Sequence, residues 1–236
     1  RCCSSAASDV YKRQVMGIIE SREFVKHLIT FDDVLPSLMA AQSYNANTKE
    51  IIFDDEIYDH ETKSWVRDAP ANRGVVPSYI EAHKEYSEII SMTKDRLTGH
   101  VSLKVEHVSP IFAKEFLSLV INEANNVQRN IDVDSSTKAL LYLREQLSRT
   151  PQVEIRDSIS KLIENQLETQ MMASIHDDYV LMTLEPPFTP ERKSGPIRSL
   201  IVILSTLVGG ILSAGIVLVR AVSYTHLTLP TNSNVL

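Results

Sequence analysis

The stretch that decides the fold is Ser109–Ser148, SPIFAKEFLSLVINEANNVQRNIDVDSSTKALLYLREQLS. Its opening Ser-Pro pair is typical of a helix start, because Ser caps the first turn and Pro fits the first helical position. No other Pro and no Gly interrupts the stretch, so it predicts one helix from Pro110 to about Ser148. At 1.5 Å per residue this helix is roughly 58 Å long, whereas helices of globular proteins average about 11–12 residues.

A second helix is predicted directly after the first. Thr150-Pro151 repeats the start signal, and the helix is expected to continue to about Ile175. Its apolar residues recur at helical spacing: Ile155, Ile159, Leu162, Ile163 and Leu167. The remaining chain is too short to cover both sides of two such helices, so we expect this hairpin to be buried against neighbouring copies.

Two strands are predicted to flank the helical hairpin. His100–Val108 places Val101, Leu103 and Val105 on one face and polar residues on the other, as in a half-buried strand. Asp178–Glu185 alternates in the same way. Strands that bracket a helical excursion can pair at one end. The predicted fold class is therefore α/β in the α+β sense, with a small, membrane-proximal β-sheet base and a long protruding helical hairpin.

The residues before this region predict short helices and a loop. Ser21 is expected to cap the helix SREFVKHLI. Asp32 or Asp33 is expected to cap a second, short helix through VLPSLMAAQ. Residues 45–77 are rich in turn formers and acidic residues, with a short strand near Ile51–Phe53. A further helix is predicted over Ser78–Ile90.

An apolar segment near the end of the chain predicts a transmembrane helix. Residues 199–219, SLIVILSTLVGGILSAGIVLV, contain no charge. Twenty-one helical residues span roughly 31 Å, about the thickness of one hydrocarbon core. Residues 191–198 form a proline-containing, basic lead into this helix.

Small residues recur four apart within the predicted transmembrane helix. Ser205, Gly209 and Ser213 form one such row, and Gly210 and Ala214 form another. Small residues at this spacing let helix backbones approach closely in lipid. We therefore predict a helix–helix contact through Gly209 and Gly210.

The charges around the helix leave its orientation open. Arg192, Lys193 and Arg198 precede it, and Arg220 follows it. The positive-inside rule would place residues 1–198 in the cytoplasm, but large domains can cross the membrane regardless of flanking charge.

Both ends of the chain are expected to be foreign sequence and are left out of the fold prediction. Residues 1–14, RCCSSAASDVYKRQ, and 222–236, VSYTHLTLPTNSNVL, resemble translated sequencing-adapter sequence. Cys2 and Cys3 fall in the first of these segments, so no disulfide framework is expected. Residues 15–190 form the main domain and carry 17 Lys+Arg against 28 Asp+Glu, a net charge of −11. Such acidity argues against nucleic acid as a partner.

The sequence predicts no catalytic residues, no cofactor site and no metal site. The histidines outside the two end segments form no H-x-x-x-H pair, and no phosphate-binding glycine motif or nucleophile motif is present. The acidic run Asp54–Glu61 could hold Ca²⁺ or a carboxylate pair, but it lacks the spaced pattern of a calcium loop. We interpret it as a solvated acidic loop, and we expect no enzyme.

Six segments along the chain together extend over nearly all of residues 15–221, and each alone is a weak motif. The segments are SREF (Ser21–Phe24), KDRLTGHVSLKVEHVSP (Lys94–Pro110), LYLREQL (Leu141–Leu147), LIENQLETQMMA (Leu162–Ala173), DYVLMTLEPP (Asp178–Pro187) and TPERKSGP (Thr189–Pro196). In their order and spacing they resemble the chain-length determinant family, the Wzz-type polysaccharide co-polymerases of bacterial envelopes.

This resemblance implies a protein of the bacterial inner membrane with most of its chain in the periplasm. It also implies a homo-oligomer in which several protomers surround a central space. Members of the family act with an O-antigen-type polymerase and set how many repeat units a lipid-linked polysaccharide receives. They have no catalytic residues to carry over to this sequence.

Some features depart from the family pattern. Members have two transmembrane helices, and the first has no counterpart in this sequence, so we expect a fragment. A capsule or exopolysaccharide export adaptor that works with a cytoplasmic tyrosine kinase is the alternative function. A membrane-anchored glycosidase is a more distant one, since it would require a carboxylate pair at a site that the sequence does not reveal.

Overall fold

The computed structural model describes residues 12–69, 73–175, 179–190 and 198–226. The chain divides into two compact units, Arg1–Thr189 and Pro190–Leu236. Residues 12–19 are the described part of helix α1. The other elements are α2 (Arg22–Leu28), α3 (Val34–Ala40), β1 (Ala41–Asn45), β2 (Glu50–Phe53), β3 (Tyr58–Asp59), β4 (Ser64–Trp65), α4 (Tyr79–Ile89), β5 (Ile90–Lys94), β6 (Val101–Val105), α5 (Pro110–Arg149), α6 (Val153–Ile175) and α7 (Arg198–His226). The predicted mixture of helices with small sheets is confirmed.

Side chains at helix starts explain where α2 and α4 begin, whereas α3 begins without one. The Ser21 hydroxyl accepts a hydrogen bond from Phe24 N (3.2 Å), as predicted for α2. At α4, Ser78 and Glu81 form a capping box. Asp33 lies at the start of α3 in a left-handed conformation (φ 62°), and its side chain makes no capping hydrogen bond. The cap predicted at Asp32 or Asp33 is therefore correct in position only.

The core of the first unit lies between α1, α2, α4 and the first half of α5. Its largest buried apolar side chains are Val15, Ile19, Val25, Leu28, Tyr86, Phe116 and Val120. The Tyr86 hydroxyl donates to the Ile19 carbonyl (2.9 Å), and its ring contacts Phe116 edge to face. Burial raises the pKa of Tyr86. One aromatic side chain therefore joins α1, α4 and α5.

Helical structure enters both end segments. The described part of α1 begins at Lys12, whose amine donates to the Gly99 carbonyl (3.1 Å), and α7 continues to His226. Residues 1–11 and 227–236 lie outside the described residues, as does the proline-containing lead at 191–197.

The predicted strand at His100–Val108 is present as β6, but it is shorter and has a different partner. β6 forms an antiparallel hairpin with β5, and Gly99 adopts the positive φ (70°) of the connecting turn. Val101, Leu103 and Val105 are half-buried, while the residues between them are exposed. The alternation of apolar and polar residues therefore predicts β6 correctly. The helix predicted over Ser78–Ile90 includes the first residue of β5, and the rest of β5 was not predicted.

The predicted strand at Asp178–Glu185 is wrong. Asp178 lies outside the described residues, and residues 179–190 contain no strand. The side chain of Asn125 takes the hydrogen bonds that a neighbouring strand would have made, because it bonds the backbone of Val180 and Leu181. The segment therefore packs on α5, and the predicted pairing of two strands across the hairpin does not occur among the described residues.

Residues 45–77 are more ordered than the predicted loop. The expected strand is β2, which pairs with β1, and β3 pairs with β4. Tyr58 is buried between Phe53 and Trp65, with ring centroids 5.6 and 5.0 Å away, and His60 stacks on Phe53. Strands of two residues are too short for periodicity to reveal, so these contacts were missed.

The long helix is confirmed and forms a hairpin with α6. α5 contains 40 residues, and the Ser109 hydroxyl accepts from Phe112 N (3.2 Å) as predicted. The predicted start of α6 at Thr150-Pro151 is wrong, because Thr150 ends α5: its amide and its hydroxyl both donate to the Gln146 carbonyl. α6 begins at Val153 and packs along α5, where Gln170 Nε2 donates to Thr137 Oγ1 (2.8 Å).

Candidate functional site

The apolar part of α7 is the first candidate functional surface. Leu200–Arg220 contains 21 residues with a mean hydropathy of 2.5, and none of its most apolar window is buried. This segment is long and apolar enough to cross a membrane, and it agrees with the predicted span at 199–219. A fully exposed apolar helix indicates association with a membrane.

The three hydroxyl groups between Leu200 and Arg220 are satisfied within the helix. Thr206 and Ser205 donate to the Val202 carbonyl (2.7 and 3.0 Å), and Ser213 donates to the Gly210 carbonyl (2.9 Å). In hydrocarbon an unpaired hydroxyl costs several kcal/mol, so these local bonds make the segment compatible with lipid.

The small residues singled out by sequence lie on an open surface. Ser205 and Gly209 lie in a shallow depression along one face, which is lined by Leu200, Ile201, Leu204, Ser205, Val208, Gly209 and Leu212. A Cβ atom added at Gly209 or Gly210 would meet no atom within 4 Å beyond its chain neighbours and the adjacent backbone of its own helix. Ser213 and Ala214 are also exposed. These positions have room for a second helix, and the predicted contact stays a prediction.

The helical hairpin is the second candidate surface, because its apolar stripe is only partly covered. Of the five residues predicted on α6, Ile159 is buried and Ile163 half-buried, while Ile155, Leu162 and Leu167 are exposed. α5 leaves Leu141 and Tyr142 exposed at 64 and 62%. These side chains lie toward the turn between the helices, far along α5 from its core end.

The buried face of α5 changes character along its length. Phe116, Val120 and Ala124 lie in the core. The next buried residues include Asn125, Gln128 and Ser136. Gln128 Nε2 donates to Asp132 Oδ1 (3.0 Å). This seam is only partly satisfied, because Gln128 bonds within its own helix and its Oε1 is buried without a hydrogen-bond partner among the described residues.

Asn125 holds the segment that follows α6. Its Oδ1 accepts from Leu181 N (2.8 Å) and Val180 N (3.1 Å), and its Nδ2 donates to the Leu181 carbonyl (3.2 Å). Asn125 is 2% exposed, and Val180 and Leu181 pack against the core. Sequence reasoning missed this role, because an Asn within a long helix gives no local signal of a partner 55 residues away.

The ion pair between Arg67 and Glu81 is largely buried and has a structural use. Glu81 receives two hydrogen bonds from Arg67 and one from Arg73, each of 3.1 Å, and one from Ser78 N (2.9 Å). Arg67, followed by the Ser78 amide, lowers the pKa of Glu81 to about 2. A carboxylate held ionised by four donors is a poor general base. This group therefore joins the start of α4 to the chain after β4.

The acidic loop uses its carboxylates to stabilise turns. Asp54 Oδ1 accepts from Glu56 N (3.0 Å), and Asp59 accepts from Glu61 N (2.9 Å) and from the Thr62 hydroxyl (2.7 Å). The hydrogen bonds from Thr62 lower the pKa of Asp59. Within the described ranges, no group of three or more His, Cys, Asp or Glu side chains is placed to hold a metal ion.

A scan of the chain against protein-family models finds no match, and a search of curated proteins finds none either. Membership of the chain-length determinant family therefore stays a prediction based on the quoted segments.

Proposed function

We propose that this chain is a non-enzymatic, membrane-anchored scaffold that regulates the length of an O-antigen-type polysaccharide, as the resemblance to the chain-length determinant family implies. In this proposal it acts as a homo-oligomer in the bacterial inner membrane, with most of the chain in the periplasm. Its partners are an O-antigen-type polymerase and the lipid-linked polysaccharide.

One observation carries the proposal most directly: a long helical hairpin with uncovered apolar residues occurs in the same chain as an apolar helix of 21 residues. Burying an apolar side chain such as Leu141 is worth about 1.5–3 kcal/mol. Neighbouring hairpins would recover part of this energy, and α7 would confine the protomers to the membrane.

The proposed mechanism requires no reaction on this chain. Adjacent hairpins would present a repeated surface to the growing polymer or to its polymerase. The length of the polymer would then depend on how long that complex persists. The charges of residues 15–190, net −11, make a neutral glycan or a protein a better partner for this surface than an anionic polymer.

Complementation of a bacterial strain that lacks its own length regulator tests the proposal. The gene, recovered with its genomic flanks, is expressed in this strain, and the glycan is separated by gel electrophoresis. We expect a cluster of bands around one preferred length. A ladder without a preferred length would reject the proposal, and glycan lost from export but unchanged in length would favour an export adaptor.

A pair of hairpin variants links this phenotype to the exposed apolar residues. We expect the double variant Leu141→Glu and Tyr142→Glu to lose the preferred length, because charges on this face would oppose contact between neighbours. Asn130→Glu is the control, since Asn130 is exposed on the same helix. If the double variant and the control give the same distribution of glycan lengths, the exposed face of the hairpin has no part in the mechanism.

The predicted contact between transmembrane helices is tested on the full chain in detergent. Gly209→Ile with Gly210→Ile would fill the surface on which we expect a second helix to pack. Chemical cross-linking should therefore decrease relative to Gly215→Ile, a control in the same span but outside the two rows of small residues. Unchanged cross-linking would contradict the contact.

A further inference from the structure

His107 lies in the short connection between β6 and α5 and joins two distant parts of the chain. Its Nε2 lies 2.9 Å from the carbonyl oxygen of Ser37, in α3, and its Nδ1 lies 3.1 Å from the amide nitrogen of Ser109, the N-cap of α5. The ring also contacts Phe112 in the first turn of α5, with centroids 4.5 Å apart.

These contacts fix the protonation of the imidazole. A carbonyl oxygen can only accept a hydrogen bond, so Nε2 must carry a hydrogen. A backbone amide can only donate, so Nδ1 must be without one. The geometry is thus specific for the neutral ring with its hydrogen on Nε2, and both ring nitrogens are used.

Protonation of Nδ1 would break one of the two contacts. The new N–H would point at the N–H of Ser109, which would lose its acceptor in a place where Ser109 itself is 2% exposed. The positive charge would also lie beside the N-terminus of a 40-residue helix, the positive end of its dipole. Both effects act at the start of the long helix.

We propose that His107 is a pH-sensitive pin between α3 and the start of α5, and that its protonation loosens the base of the helical hairpin.

The described elements that contact the ring contain little that could offset its charge. α3 carries no titratable side chain, and the first turn of α5 carries no acidic one. On the segment of His107 itself, Glu106 is exposed and paired with Lys104. Burial lowers the pKa of His107, against the effect of its bond to the Ser37 carbonyl.

The sign of the pH dependence follows from this direction. The folded protein holds the ring neutral to lower pH than the unfolded chain does, where the pKa has its ordinary value of 6.5. The contribution to stability is therefore complete above pH 6.5 and decreases as the pH falls below it. The decrease amounts to about tenfold in the unfolding equilibrium for each unit by which the pKa is lowered.

Hydrogen exchange of the full chain in detergent tests the pin between pH 7.5 and 5. After correction for intrinsic rates, we expect protection of the first turn of α5 to decrease on acidification by the same factor of about ten per pKa unit. His107→Gln and His107→Asn cannot titrate and should remove this dependence. His100→Gln, at an exposed histidine, should retain it.

Equal pH dependence in the wild type and in both His107 variants would overturn the proposal. If both variants fail to fold, the NMR titration of the histidine rings in the wild type decides. The pin is supported if the His107 ring stays neutral to a pH below 6.5 and the start of α5 loses protection over the pH range in which this ring becomes protonated. Titration of every ring at its ordinary value, or protection independent of pH, refutes it.

Discussion

The two halves of α5 belong to one uninterrupted helix but have different surroundings. The first half places Phe116, Val120 and Ala124 in the core beside α1, α2 and α4. The second half packs along α6, and it buries Ser136 and Leu140 while Leu141 and Tyr142 stay exposed. The comparison teaches that a helix can be specified by its local sequence over 40 residues, while its tertiary stabilisation is concentrated at one end.

The largest effect is expected for Phe116→Ala in the first half. Phe116 is 2% exposed and stacks on Phe112, with ring centroids 5.2 Å apart. Its truncation removes the buried ring and leaves a cavity, so the free energy of unfolding should fall by about 3–5 kcal/mol. Urea denaturation followed by circular dichroism measures the change. A loss below about 1 kcal/mol would mean that the first half is not the anchored one.

The sequence predicted what local signals determine. The caps at Ser21 and Ser109 and the absence of Pro and Gly after Pro110 were sufficient for the starts of α2 and α5 and for the length of α5. The start of α6 was wrong because Thr150 carries a signal that can begin one helix or end another.

Features that depend on long-range contacts could not be predicted. The alternation in residues 178–185 is compatible with a strand, and only the position of Asn125 in space determines that the segment bonds to a side chain. His107 gives no local signal of its partner Ser37, which lies 70 residues away. The helix–helix contact predicted at the small residues of α7 needs a second helix that the sequence does not identify. The structure leaves the surface at Gly209 and Gly210 uncovered.

An intermediate effect is expected for Asn125→Ala, at the boundary between the two halves. The substitution leaves the amides of Val180 and Leu181 without their acceptor, at a cost of about 1–3 kcal/mol. Residues 179–190 should then be cleaved faster by a protease than in the control Asn130→Ala, whose side chain is exposed. Equal cleavage rates would show that apolar packing of Val180 and Leu181 alone holds the segment.

The smallest effect is expected for Leu141→Ser in the second half. It distinguishes a hairpin that stays monomeric from one that packs against neighbouring copies. Leu141 is 64% exposed, so its replacement in a monomeric chain should change the free energy of unfolding by no more than about 0.5 kcal/mol. If neighbouring copies cover this face, the cost should grow with protein concentration, because association stabilises the folded state by mass action. Denaturation at two concentrations a hundredfold apart distinguishes these cases, with Asn130→Ser as the control. A small, concentration-independent change would mean that the second half of α5 stays uncovered, and the contrast between its halves would then be a property of the working protein.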